Sequence, residues 1–392
     1  MTQNQRIQIG EGRISGYLSI FFALICFLGV VCAFFPEYLT TADFREAYNP
    51  LFIKWSLLVV ALFSLGFAIT SLILSTRTTW GFIGITILIT SIILGNYLPE
   101  SDGIESNAYT LGLDWLVIDI FLSAIIFIPI ELFLPKRLNQ LKFHSEWRTD
   151  LVYFIVGHLL IQLTGVLVQL PAVKLFGWLE LDGFQTWMKS IHFVPQLLLA
   201  MFAADLFQST AHILLHKVPF LWRFHSVHHS TKNIDWLAGS RNHFVDLIIV
   251  RALTFMPIYL LGLDSSVFIS YLIVAGIQAV LAHTNTRINF GLLRYVFVTP
   301  QYHHWHHSAE EKAYDKNYAI HFPLIDILFG TYFKFGKNEW PKETGLGEVQ
   351  FPKGFIRQFL YPFANNPMKQ QKKLKTQVKD KSFRHLPSHQ TY

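Results

Sequence analysis

The stretch Phe193-Val-Pro-Gln-Leu-Leu-Leu-Ala-Met-Phe-Ala-Ala-Asp205-Leu-Phe-Gln-Ser-Thr-Ala-His212-Ile-Leu-Leu-His216 decides how this chain is built. It is apolar, carries one acid, and is long enough to cross a bilayer as a helix. It ends in H-x-x-x-H, and residues four apart on a helix share a face, so both imidazoles point the same way. A membrane-length helix thus delivers a pair of nitrogen donors at its end.

Working outward, uncharged runs occupy Ile14–Phe35, Trp55–Thr76 and Thr78–Pro99, with only Arg77 between the last two. Trp115–Pro135 is interrupted by Asp119 and Glu131, which either mark a polar path or sit at headgroup level. Leu151–Val173 contains His158, and the apolar segments Leu247–Gly262 and Ser265–Ala282 flank Asp264 as two spans or a re-entrant hairpin. The first run is too long for a signal-peptide core and reads as a retained span. Its Cys26 and Cys32 lie on different sides of one helix and form no disulfide framework. The expectation is an all-α, polytopic membrane helical bundle of eight spans.

Composition agrees. Of 392 residues, 52% are hydrophobic and 15% charged, against roughly 25% charged in ordinary soluble proteins. Too few charges remain to coat a soluble core of that size, and disordered, collagen-like and nucleic-acid-binding classes are excluded by the same figures. From Lys334 onward Lys and Arg number 12 against 4 acids, so the net charge of +6 is a C-terminal feature. Lys369, Lys372, Lys373, Lys375, Lys379 and Lys381 read as a basic tail beside anionic headgroups or as a solvated end. Loops holding Arg77, then Lys136, Arg137, Lys142 and Arg148, alternate with acidic loops holding Glu37, Asp43 and Glu46, then Glu100, Asp102 and Glu105. Because basic loops stay cytoplasmic, both termini and the region after His212, apart from the Asp264 turn, are expected on that side.

Between His212 and His307 lie 11 of the 17 histidines. Beyond His212 and His216 they include His225-Ser-Val-His228-His229 and His303-His304-Trp-His306-His307, two copies of H-x-x-H-H. One copy is expected by chance roughly 0.03 times in a chain with this histidine content. Neutral imidazole suits iron, zinc, copper and nickel. With His243 and His283 added, ten candidate ligands are too many for one ion and fit two. His304 falls off the spacing, His158, His192 and His321 stand alone, and His144, His385 and His389 lie in polar stretches read as solvated. No H-E-x-x-H, Glu-x-x-His pair, dinucleotide fingerprint or P-loop is present, so any electrons come from outside the chain.

The pattern resembles the sterol desaturase and fatty acid hydroxylase superfamily of membrane non-haem di-iron enzymes. The likeness runs from Asp205 through Leu221-Trp-Arg-Phe-His225-Ser-Val-His228-His229-Ser, Arg241-Asn-His243, His283-Thr-Asn285 and Thr299-Pro300. It continues through the last H-x-x-H-H, Asn317-Tyr318 and Asp326 to Leu328-Phe-Gly-Thr-Tyr332. The resemblance implies two irons, replaceable by zinc during purification, on His212, His216, His225, His228, His229, His243, His283, His303, His306 and His307. It makes Asp205 and Asn285 site residues that orient imidazoles. It implies O2-dependent hydroxylation of a lipid C–H position, with electrons from an external NAD(P)H-linked carrier of ferredoxin or cytochrome b5 type. Lipid or sterol desaturation and ether-lipid monooxygenation are the alternatives within the family, and a membrane metal transporter is the alternative outside it. Ser209 and Ile213 depart from the Tyr and Arg that many relatives carry, which bears on substrate class. Residues 1–140 read as a four-helix transmembrane module, 141–336 as the catalytic domain and 337–392 as the basic cytoplasmic tail. The expected location is a bacterial inner membrane, or the endoplasmic reticulum for a eukaryotic chain.

Overall fold

The computed structural model describes residues 12–41, 45, 49–74, 79–97, 110–179 and 181–364. Arg77, Asp43, Glu46, the acidic loop from Glu100 to Glu105, Glu180 and the lysine-rich tail lie outside these residues. The principal helices are α1 (Arg13–Phe34), α2 (Pro50–Leu74), α3 (Thr79–Gly95), α4 (Leu113–Phe133), α5 (Trp147–Leu159), α6 (Ile161–Phe176), α7 (Phe193–Lys217), α8 (Pro219–His225), α9 (Phe244–Leu261), α10 (Ser265–His283), α11 (Pro300–His306) and α12 (Pro323–Phe329). No strand occurs among the described residues beyond an isolated Ser308–Thr344 bridge.

Six of these helices, α1, α2, α4, α7, α9 and α10, are long and apolar enough to cross a membrane, and α3 follows at 17 residues. The chain is a multi-pass membrane protein. The span expected at Leu151–Val173 is instead two pieces, α5 and α6, interrupted at Leu160. Gly157 and Gly165 flank that break, and glycine weakens a helix interior. The segments around Asp264 are two full-length helices, separated by Gly262 in the left-handed conformation (φ 60°).

Of the described residues, those within 1–122 and 158–163 form one compact unit and those within 123–157 and 164–392 another. In the first, α1 approaches α3 closely. A Cβ on Gly84 would stand 2.0 Å from Ser19 Oγ, so only glycine fits there. Ser64 and Ser71 are buried and donate to backbone carbonyls of Ser19 and Gly12, while Leu62 and Ile73 face outward. Small polar residues inside and apolar ones outside suit a lipid solvent. His158 Nε2 lies 2.6 Å from the Asp119 carboxylate, which gives that acid a partner. Both cysteines are buried and free.

In the second unit, Met201 and Ala204 of α7, Ile258 of α9 and Tyr271 of α10 form one core cluster. Ala282, Val298, Tyr302, Ala319 and Ile325 form another beside it. The second cluster ties the C-terminal end of α10, through Ala282, to Tyr302 of α11. Thr299 caps α11, its side chain accepting from Tyr302 N, and Pro300 at the first position suits a helix start. The short helix therefore begins where Thr299-Pro300 places it and displays its histidines over two turns.

Candidate metal centre

Nine of the ten histidines singled out above converge in the second unit as two groups. His212, His216, His225, His229 and His306 form the first, His228, His283, His303 and His307 the second, and the donor atoms within each lie within 4.8 Å of one another. Helical spacing explains the sorting. Each i, i+4 pair stays together: 212 with 216, 225 with 229, 303 with 307. The remaining member of each H-x-x-H-H crosses over, His228 to the second group and His306 to the first.

Hydrogen bonds fix the tautomers. His212 Nδ1 donates to the Tyr318 carbonyl at 2.8 Å, and His306 Nδ1 to the Lys316 carbonyl at 2.9 Å. His283 Nδ1 donates to the Ala279 carbonyl at 2.8 Å and His228 Nδ1 to that of Arg241 at 3.3 Å. His225 Nδ1 meets the Asp246 carboxylate at 2.8 Å. Carbonyl and carboxylate oxygens only accept, so each of these rings carries its hydrogen on Nδ1 and presents a lone pair at Nε2. Burial holds His228, His229, His303 and His307 well below the usual histidine pKa and pushes His306 down to about 3, so these rings are neutral.

Where both Nδ1 atoms are committed, lone pairs then face lone pairs. His212 Nε2 lies 3.0 Å from His225 Nε2, and His283 Nε2 lies 3.4 Å from His228 Nε2. His303 Nε2 stands 2.9 Å from His283 Nε2 and 3.1 Å from His307 Nε2. Nε2 of His216, His229 and His306 is buried with no hydrogen-bond partner among the described residues. Unshared acceptors packed together in a dry interior are costly unless a cation lies between them. The separations also suit one: nitrogens about 2.0–2.1 Å from an ion stand about 2.9–3.4 Å apart in right-angled to tetrahedral arrangements. The donor sets therefore fit two ions bound by neutral nitrogen.

The remaining predicted residues lie elsewhere. His243 joins neither group: its Nδ1 accepts from Val245 N as the cap of α9, and its Nε2 donates to the Phe359 carbonyl at 3.0 Å. Asp205 touches no imidazole of either group. Its carboxylate accepts from the backbone N–H of Ile320, His321 and Phe322 at 2.8, 3.1 and 2.7 Å, and Ser209, the departure from the family pattern, donates to it at 3.1 Å. Asn285 bonds the backbone of Arg137, accepting from its N–H and donating to its carbonyl. Both residues brace backbone beside the site. Glu131 is buried, with Oε1 accepting from Trp236 N and Asn285 N, so it is a brace rather than a headgroup-level acid. His144, expected to be solvated, is buried between Asp150 and Asp235, 3.4 and 3.3 Å from its Nε2. The exposed loop around it follows a polar sequence; Asp150 meets it from the first turn of α5 just downstream, and Asp235 from a distant position.

Several partners of the imidazoles have weak sequence signals. Asp246 was visible only as an acid heading an apolar segment. Carbonyls of Lys316 and Tyr318 have no side-chain signature at all. Gly239 lies against His283, where a Cβ would come within 2.8 Å of Nδ1, so this position excludes any side chain.

Residues 197–331 match the fatty acid hydroxylase family. This histidine-bearing region belongs to the sterol desaturase and fatty acid hydroxylase superfamily. The matched region holds all nine converging histidines. The chain is 33% identical over 176 residues to the ornithine lipid hydroxylase OlsE of Rhizobium tropici, covering 45% of this chain and 52% of that one. It is 27% identical over 151 residues to the alkylglycerol monooxygenase of Caenorhabditis elegans and 28% over 121 residues to that of Homo sapiens, covering 28% and 27% of those proteins. The chain thus spans about half the length of the first relative and under a third of the other two. No solved structure matches it significantly.

Proposed function

We propose that this protein is a membrane-bound non-haem di-iron oxygenase that hydroxylates a C–H position of a lipid. The observation that carries the reading is the pair of adjacent imidazole groups with converging ring nitrogens, three of whose histidines end membrane-length helices. His212, His216, His225, His229 and His306 hold one iron; His228, His283, His303 and His307 hold the other. Iron bound there supplies O2 reduction and abstraction of hydrogen from the lipid. The protein's own work is to keep the rings neutral, aim Nε2 inward through Nδ1 bonds, and exclude water. The balance is R–H plus O2, two electrons and two protons, giving R–OH and water.

Several features support the surroundings of this chemistry. No nucleotide-binding motif is evident in the sequence, so the electrons come from an external NAD(P)H-linked carrier of ferredoxin or cytochrome b5 type. Exposed Lys217 and Lys232 near the histidine-bearing turns support a cytoplasmic site. Residues 1–140 act as a membrane module, 141–336 as the catalytic domain and 337–392 as a basic tail. Likeness to an ornithine lipid hydroxylase supports an amino-acid-bearing polar lipid as substrate. The weaker likeness to alkylglycerol monooxygenases supports ether lipids as the second class.

Expression in a bacterial host that makes ornithine lipid, followed by mass spectrometry of total lipids, tests this. A species heavier by one oxygen is expected with the wild type and not with His283→Ala. Loss of two hydrogens from a lipid would convert the reading to desaturation, and consumption of ether lipids alone would favour the second class.

A further inference from the structure

The segment Asp315-Lys316-Asn317-Tyr318 crosses the first imidazole group and touches three of its five rings. Tyr318 O accepts from His212, Lys316 O accepts from His306, and the Asp315 carboxylate lies 3.5 Å from His216 Nδ1. The Tyr318 ring packs against the same three imidazoles, with centroids 5.3, 5.0 and 5.7 Å away. Asp315 (φ 58°) and Asn317 (φ 59°) are the non-glycine residues with left-handed backbone among those described. Asparagine and aspartate enter that region more readily than other side chains do. The kinked path they create brings two carbonyls and a carboxylate onto one cluster.

Asn317 locks this path. It is fully buried; its Oδ1 accepts from Phe333 N at 2.8 Å, and its Nδ2 donates to the Tyr302 carbonyl at 3.1 Å. Next to it, the Asp326 carboxylate accepts from Tyr318 N and Ala319 N. Asp315 is anchored from outside by Lys217 Nζ at 2.7 Å. The second imidazole group is held less closely: among the described residues Nδ1 of His303 and of His307 is buried without a partner, His283 leans on its own helix, and His228 alone bonds another segment, at 3.3 Å from the Arg241 carbonyl.

We propose that Asp315–Tyr318 is a strap that positions the five-imidazole group, with Asn317 and Asp315 as its positioning residues, so that this group holds its ion more tightly than the four-imidazole group does. The inference rests on the two-ion reading above. An imidazole whose distal nitrogen is fixed has less freedom to lose on binding and a more basic ligand nitrogen, and loss of such partners commonly costs about 10–100-fold in metal affinity.

The test uses full-length protein in detergent, loaded with Zn2+ alone and challenged with excess chelator while metal release is timed. Wild type is expected to release zinc in two phases. Asn317→Ala should speed the slow phase about 10–100-fold and leave the fast phase alone, with helical content unchanged by circular dichroism. Asn317→Gly keeps the backbone but not the side-chain bonds and should fall between. Asp315→Ala should speed the slow phase, and Asp315→Asn, which keeps the left-handed preference, should recover part of the loss. If Asn317→Ala does not yield folded protein, the partly exposed Asp315 pair carries the test. Two wild-type phases with both unaffected by these variants, or both accelerated equally, would overturn the strap and leave the functional reading standing. Wild-type protein that takes up no zinc would overturn the two-ion reading itself.

Discussion

Alanine at both His212 and His225 is expected to leave about one ion per chain where wild type holds about two, and to cut product formation at least about 100-fold. These rings face each other through Nε2 at 3.0 Å, and both Nδ1 atoms are committed, to Tyr318 O and Asp246. Removing both leaves three imidazoles in the first group and does not touch the second. The complementary pair, His303→Ala with His307→Ala, should likewise lose one ion, because both belong to the second group. Metal analysis of the two double variants, each purified beside wild type, checks the partition. Loss of both ions in either would mean that the histidines form one undivided cluster.

Asp205→Ala is expected to unfold the site without deleting any ligand. Asp205 has no exposed surface, and its carboxylate satisfies three backbone N–H groups of the segment from Ile320 to Phe322. That segment follows Tyr318, whose carbonyl orients His212. Each buried donor left without an acceptor costs about 1–3 kcal/mol, so the loss should be at least about 3 kcal/mol. In a chain of this length this corresponds to a melting midpoint lower by at least about 4 °C. Asp205→Asn, which keeps an acceptor but turns a donor toward those N–H groups, should fall between. The midpoint can be followed by thermal aggregation in detergent together with metal retention. An unchanged midpoint in the alanine variant would show that the bonds to 320–322 do not hold the segment.

The helical membrane architecture was legible because apolar runs of span length carry their own signal; only Leu151–Val173 misled, since a break at Leu160 leaves the overall hydropathy intact. The histidine set was legible for a related reason: H-x-x-x-H and H-x-x-H-H are local patterns, and i, i+4 pairs stay together in space. Its partition was not. His228 turns to the opposite group from His225 and His229 through a short turn of 3-10 helix, and His306 reaches the first group from a helix some ninety residues away in the chain. His243 shows the converse limit, since its motif context gave no hint that both nitrogens would be used in capping α9 and bonding Phe359. His144 is buried between Asp150, close by in the chain, and Asp235, a contact between residues far apart in sequence. Asp205 and Asn285 were found as positions, while their work on backbone rather than on imidazole depends on tertiary contacts.

The most direct measurement is the fate of oxygen in purified protein supplied with iron, a polar lipid substrate and an external electron carrier under heavy-isotope O2. One heavy oxygen atom should appear in the lipid hydroxyl, only when the reductant is present, and should be absent with the His212→Ala/His225→Ala variant. Product formed with oxygen from water, or formed in the absence of O2, would contradict the assignment of this protein as an oxygenase.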